Sequence, residues 1–115
     1  MMLDWNGYRG QLLSRIGELA KASPDTVRGY RQLGDAGVKA NLLSPKTREL
    51  IALAVGVTRQ CDGCIAVHTE AATRQGATRE EIAEALGVAI AVNAGAALVY
   101  SARAMDAFDA QAGET

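Results

Sequence analysis

The three side chains best suited to redox or metal chemistry lie close together in the sequence. Cys61 and Cys64 are the two cysteines of the chain, and His68 is its one histidine. Each residue of an α-helix turns by about 100°, so this spacing places all three side chains on one face, within a wedge of about 60°. A helix N-terminus favours a thiolate, and a neighbouring imidazole can take the thiol proton. The pattern therefore indicates a reactive dithiol with a base beside it.

The order in which the two thiols would react is less sharply defined. Two cysteines three apart at a helix start can close a disulfide, because the first lies at or outside the first turn. We favour Cys64 as the attacking thiolate, since His68 follows it by one turn, and Cys61 as the resolving cysteine. The helix dipole favours the opposite order. We expect Gly63 to leave room for a substrate to approach a sulfur, and Asp62 to oppose thiolate formation.

The segment before the cysteines predicts a buried helix. Ser44 and Pro45 form a helix start, with a capping residue followed by proline at the first helical position. The run from Leu50 to Val57 is apolar on all sides, which is typical of a buried helix. Glu49 stands at the edge of this run, so we expect dry surroundings that suit proton transfer. The motif helix should run from about Cys61 to Arg74.

The rest of the chain also predicts helices, and no stretch alternates like a strand. The first covers "WNGYRGQLLSRIGELAKA", and a second begins with Ser23 and Pro24 and dissolves around 34–37. The last opens with Thr78 and Glu81 in capping-box spacing, and we expect Asn93 and Gly95 to break or kink it. The sequence thus predicts an all-α protein of five to six helices, as one domain over residues 1–115.

Composition limits the possible partners and location. Aromatic residues make up only 4% of the chain, and a core rich in small residues, as at Ala94 to Ala97, predicts burial against other subunits in a homo-oligomer. The net charge of -1 and the lack of a basic stripe argue against nucleic acid. No leader opens the chain, so we expect a cytoplasmic protein. The apolar content of residues 85–100 is mostly alanine, which we interpret as too weak for a membrane span.

One combination of features resembles a known family. The motif Cys61-x-x-Cys64-x-x-x-His68, preceded twelve residues earlier by Glu49 in "TRELIALAV" and followed by "GATREEIAEAL", resembles the carboxymuconolactone decarboxylase superfamily, and within it the alkylhydroperoxidase D-like branch. The likeness runs from about residue 42 to 108. It implies an all-helical fold in trimers or hexamers, with active sites in pockets near subunit contacts.

The resemblance also implies a chemistry. In that branch two cysteines reduce hydroperoxides and cycle through a disulfide, while a glutamate and a histidine relay protons. Carried over to this sequence, the cysteines are Cys61 and Cys64, the histidine is His68 and the glutamate is Glu49. Gly63 departs from the pattern, because the well-studied enzymes often carry a second histidine there, which leaves the strength of a peroxidase activity open. The decarboxylase branch generally lacks the cysteine pair.

The predicted function is thus reduction of a hydroperoxide, with a thiol or dithiol reductant restoring the cysteines and no cofactor, metal, nucleic acid or membrane involved. Two other functions stay open: a thiol–disulfide adapter with little peroxidase activity, and a non-catalytic structural oligomer. A zinc site is a weaker alternative. Cys61, Cys64 and His68 with Glu49 would supply four ligands, but structural zinc sites usually draw on two separated ligand pairs.

Overall fold

The computed structural model describes residues 1–113, and within them the chain is helical with no β-strand. The five helices are α1 (Trp5–Ala22), α2 (Pro24–Ala40), α3 (Pro45–Thr58), α4 (Asp62–Arg74) and α5 (Arg79–Gln111). The prediction of an all-α protein with five to six helices is therefore confirmed.

Local capping interactions place the starts of α3 and α5. The Ser44 side chain accepts a hydrogen bond from the Thr47 amide, with Pro45 in the first turn as predicted. Thr78 and Glu81 form the predicted capping box, each side chain accepting a bond from the other's backbone. Glu81 also forms an ion pair with Lys46, at 2.8 Å, which joins the start of α5 to the start of α3.

The junction between α3 and α4 fixes the position of Cys61. Gln60 has a φ of 52°, a left-handed conformation in which glycine is favoured. The Gln60 amide donates to the Val57 carbonyl, and the Cys61 amide donates to the Gly56 carbonyl, both at 3.0 Å. These two bonds are the Schellman pattern that ends a helix. Cys61 is also the N-cap residue of α4, so both helices hold it.

The core is small, and α3 is less buried than its sequence predicts. Helix α3 packs against α4 and α5, while α1 packs against α2 and α4. Leu53 and Gly56 are the buried residues of α3, whereas Ile51 and Val55 are about half exposed. The prediction that Leu50 to Val57 is buried on all sides is therefore wrong for the single chain, because α4 and α5 cover only part of the helix.

Two predicted helix breaks are also wrong. Helix α2 continues through residues 34–37 to Ala40, and Asn41 ends it in a left-handed conformation with φ 48°. Helix α5 runs unbroken past Asn93 and Gly95. The Asn93 amide nitrogen donates to the Ala89 carbonyl at 2.7 Å and to the Thr58 hydroxyl at 2.9 Å. The polar side chain therefore finds partners without breaking the helix.

The single chain is extended and leaves much apolar surface open. Its radius of gyration is 19.1 Å, whereas a compact chain of this length has about 13 Å. Its accessible surface is 8929 Å², against about 6,000 Å² for an ordinary monomer of this mass. The exposed apolar side chains on α2 and α5 include Tyr30, Leu33, Val38, Val88, Ile90, Val92, Leu98, Val99, Tyr100, Met105 and Phe108.

Helix α5 carries most of this apolar surface. Among the described residues, it is the one helix long and apolar enough to cross a membrane by length and composition, with a mean hydropathy of 1.9 in its most apolar window. We expected the alanine-rich segment to be too weakly apolar to cross a membrane. Its mean hydropathy does not support that expectation, because alanine itself counts as an apolar residue. A single such helix is weak evidence for a membrane location, since helices that pack inside soluble proteins share these properties.

Candidate active site

Glu49 and His68 form a direct contact between α3 and α4. His68 Nδ1 lies 2.7 Å from Glu49 Oε2. With the carboxylate ionised, Nδ1–H is the donor, and Nε2 is left free to accept a proton. The two side chains are 30% and 27% exposed. The predicted pair is therefore formed. The expectation of dry surroundings for Glu49 is wrong for the single chain, because α3 and α4 leave this edge of the contact open to solvent.

The two cysteines contact each other at the first turn of α4. Both are free thiols and both are partly buried. The Cys64 amide donates to Cys61 Sγ at 3.2 Å, so the sulfur itself caps the helix. A sulfur that accepts an N–H bond at a helix N-terminus is stabilised as a thiolate.

The two thiols have pKa values displaced in opposite directions. The pKa of Cys61 is lowered, first by a hydrogen bond from the Cys64 thiol and then by the Cys64 amide, while burial and the Asp62 charge oppose this shift. The pKa of Cys64 is raised, first because its thiol donates to Cys61, and further by burial and by the Cys61 charge. Of the two thiols, Cys61 is therefore the one that loses its proton more readily, and Cys64 is the one that keeps it. These pKa shifts favour Cys61 as the attacking thiolate, whereas the sequence analysis favoured Cys64.

Gly63 has a packing role that the sequence did not reveal. A Cβ placed on Gly63 would lie 2.8 Å from Leu12 Cδ2, closer than carbon atoms approach without displacement. Helix α1 thus packs its Leu12 side chain against the backbone of α4 between the two cysteines. The expectation that Gly63 leaves room for a substrate is wrong at this side of α4, because Leu12 fills the space. A histidine at this position would displace Leu12.

Gly56 is a second residue that the sequence did not single out. It lies seven residues after Glu49, on the same face of α3, where it is buried. A Cβ placed on it would lie 2.7 Å from Cys64 Cβ. The signal available in the sequence was a glycine inside an otherwise apolar helix, two turns beyond the glutamate.

The side chains fall into two contacting pairs. Glu49 contacts His68, and Cys61 contacts Cys64. Within residues 1–113, no three or more histidine, cysteine, aspartate or glutamate residues are grouped as they would be to hold a metal ion. The arrangement provides a thiol with a lowered pKa, a second thiol with a raised pKa, and an imidazole whose orientation a carboxylate fixes.

Comparisons with known proteins agree on one family. The family model for the carboxymuconolactone decarboxylase family matches residues 24–107, so α1 lies before the matched segment. An uncharacterised protein of Haemophilus influenzae is 47% identical over 111 residues, which is 96% of this chain and 98% of that protein. An uncharacterised protein of Cupriavidus necator is 34% identical over 110 residues, covering 96% of this chain and 97% of its own length.

A solved structure agrees with these matches. The chain resembles the apo crystal structure of a carboxymuconolactone decarboxylase family protein from Legionella pneumophila, with a TM-score of 0.73 and 35% sequence identity. The likeness covers 91% of this chain and 94% of that one. The matched sequence segment, the shared fold and the close relatives together show that this chain belongs to the carboxymuconolactone decarboxylase family.

Proposed function

We propose that the protein is a dithiol peroxidase of the alkylhydroperoxidase D-like kind, which reduces hydroperoxides through Cys61 and Cys64. The observation that carries this proposal is the pairing at the α3–α4 contact. One thiol caps α4 and is stabilised as a thiolate, and the imidazole one turn beyond the other thiol is oriented by a carboxylate at 2.7 Å. Thiolates are the nucleophiles that attack the O–O bond, and a positioned imidazole can manage the protons.

In the proposed first step, the Cys61 thiolate attacks one oxygen of the hydroperoxide. A sulfur–oxygen bond forms, the O–O bond breaks and the alkoxide leaves, taking a proton to become an alcohol. The product is a sulfenic acid on Cys61. Cys61 is assigned this role because its pKa is lowered and because it lies at the N-terminus of α4.

In the second step, the Cys64 thiol resolves the sulfenic acid. Its raised pKa means that it needs a base, and we propose that His68, four residues further along α4, takes the proton. The Cys64 sulfur then attacks the Cys61 sulfur, a disulfide forms, and the sulfenic oxygen leaves as water. Glu49 would hold the imidazole and balance its charge while it carries the proton.

An external reductant closes the cycle. Two equivalents of a thiol, or one dithiol, reduce the disulfide to the two cysteines and are themselves oxidised to a disulfide. We propose that this occurs in the cytoplasm, where thiol pools are reducing.

The test is peroxide consumption by purified protein with a dithiol reductant. We compare the wild type with Cys61→Ser and Cys64→Ser, and use the exposed Thr73→Ser as a matched control. Turnover that either cysteine variant abolishes supports the proposal. No consumption above the rate of reductant alone would leave either a thiol–disulfide adapter or a non-catalytic protein.

Thiol–disulfide exchange without peroxide is the second candidate, and a specific observation favours it. Cys61 combines a lowered pKa with partial exposure, and these are the properties of a thiol that exchanges with other disulfides. Leu12 also occupies the position beside Gly63, where related peroxidases often carry a histidine. Rapid reduction of a model disulfide without peroxide turnover would select this function. If neither reaction occurs, the protein is a structural oligomer.

We also propose that the protein works as a homo-oligomer. The single chain exposes about 2,900 Å² more surface than a monomer of its mass usually does. That excess exceeds the area that a standard protein–protein interface buries in total. The apolar side chains on α2 and α5 supply the chemistry for such a contact, and the same burial would account for the apolar character of α5 without a membrane.

A further inference from the structure

Gly56 contacts both cysteines from the neighbouring helix. Its carbonyl oxygen accepts the Cys61 amide at 3.0 Å. On its other side, a Cβ placed at Gly56 would meet Cys64 Cβ at 2.7 Å, with the Cys64 carbonyl carbon and Cα at 3.7 and 3.8 Å. Gly56 of α3 therefore contacts both Cys61 and Cys64.

The geometry points to Gly56 as a positioning residue that sets the approach of the two cysteine sulfurs to each other. This inference rests on the proposed dithiol chemistry and deepens it. The Cys61 amide is anchored to the backbone at position 56, whereas Cys64 is held by direct packing against the same residue. A side chain at position 56 would therefore push Cys64 outward while Cys61 stayed bonded, and the spacing of the pair would change.

A side chain at position 56 could not be accommodated by a change of the Cys64 rotamer alone. The atom of Cys64 that faces Gly56 is Cβ, which is attached directly to the α4 backbone, so relief requires a movement of the helix itself. Leu12 packs on α4 at Gly63, which resists that movement from the α1 side. By contrast, a Cβ added at Gly87 meets nothing within 4 Å. Helix α4 is thus held between α1 and α3 at the turn that carries the thiols.

The experiment measures the thiols directly and needs no peroxide. Reduced Gly56→Ala is alkylated with iodoacetamide across pH, and each cysteine is followed by peptide mass spectrometry, with Gly87→Ala as the matched control. We expect the Cys61 profile of Gly56→Ala to move towards that of an ordinary thiol, with about a tenfold lower thiolate fraction at pH values below the pKa for each unit by which that pKa rises. We also expect the glutathione ratio at which its Cys61–Cys64 disulfide is half reduced to differ from the wild-type ratio, because the spacing of the two sulfurs changes.

A second pair of variants keeps the inference testable if Gly56→Ala fails to fold. Cys64→Gly removes the Cβ that the new side chain would meet. Gly56→Ala should therefore cost much less folding stability in the Cys64→Gly background than in the wild type. Equal costs in the two backgrounds would show that the contact with Cys64 is not responsible, and would overturn the inference.

The outcomes separate this inference from the proposed function. Wild-type thiols that react like ordinary cysteines would contradict the proposed thiolate itself. A perturbed wild-type profile that is identical in Gly56→Ala would overturn only the positioning role. A shift in Gly56→Ala that also appeared in Gly87→Ala would reflect a general change in helix stability, and would equally overturn it.

Discussion

Replacing Glu49 with glutamine tests whether the carboxylate and His68 act as one unit. Glutamine keeps the shape of the side chain but removes the charge that orients and balances the imidazole. The contact spans 2.7 Å between two side chains that keep 27% and 30% of their surface exposed. Hydrogen bonds to charged groups contribute about 1.5 to 3 kcal/mol, and partial exposure places this one at the lower end.

The expected loss follows from that magnitude. About 1.5 kcal/mol corresponds to roughly a tenfold decrease in the rate of the step that the pair serves. His68→Ala removes the base itself, which is typically worth about 10²-fold or more. If Glu49 acts only through His68, the double variant should lose about as much as His68→Ala alone. If the two act independently, the losses should multiply to about 10³-fold.

The assay is stopped-flow oxidation of the reduced dithiol by a small hydroperoxide. Formation of the sulfenic acid and closure of the disulfide are followed separately, because the relay is proposed for the second step. We expect Glu49→Gln and His68→Ala to slow disulfide closure more than the first oxidation. Multiplied losses in the double variant, or a wild-type closure rate in His68→Ala, would refute the relay.

The helix junction and the open surface can also be tested separately. Alkylation across pH should show Cys61 reacting below the usual thiol range, near 8.5, and Cys64 above it. A single pKa shared by both thiols would contradict these two opposite shifts. Because the pKa of Cys61 is lowered in the folded state, its contribution to the free energy of unfolding should be present above the unfolded-state pKa and be lost as pH falls through the folded-state pKa. Gln60→Gly should raise the free energy of unfolding by up to about 1 kcal/mol, because glycine removes the cost of the left-handed φ of 52°. The control Gln75→Gly, at φ -86°, should give no gain. Leu98→Glu places a charge on the exposed apolar surface of α5, so it should reduce the particle mass in light scattering without unfolding the chain. The control Gln75→Glu should leave the particle mass unchanged. A wild-type protein that is already a monomer would refute the proposed oligomer.

The features predicted correctly from the sequence depend on local interactions. Ser44 and Thr78 form their caps with residues three positions away, so the starts of α3 and α5 could be read from short patterns. The shared face expected for Cys61, Cys64 and His68 stays a prediction from helix geometry, because the contacts in the structure join Cys61 to Cys64 and His68 to Glu49. The pairing of His68 with Glu49 was given by the family resemblance, and the contact in the structure agrees with it.

The features that were missed depend on contacts between distant residues. Asn93 is kept inside a helix by a hydrogen bond to Thr58, which lies 35 residues earlier. Leu12 reaches Gly63 across two intervening helices, and Gly56 meets Cys64 across the α3–α4 junction. The exposure of α3 also could not be anticipated, because an apolar sequence does not say whether its own chain or another subunit covers it.

The fate of the two thiols under stoichiometric hydroperoxide shows directly whether Cys61 and Cys64 act as a redox pair. Reduced protein is treated with one equivalent, and intact and peptide masses are recorded alongside a free-thiol count. We expect both thiols to disappear together, with a mass loss of two hydrogens and a single linked peptide that contains Cys61 and Cys64. Loss of one thiol per chain, with a stable sulfenic or sulfinic acid and no linked peptide, would contradict it.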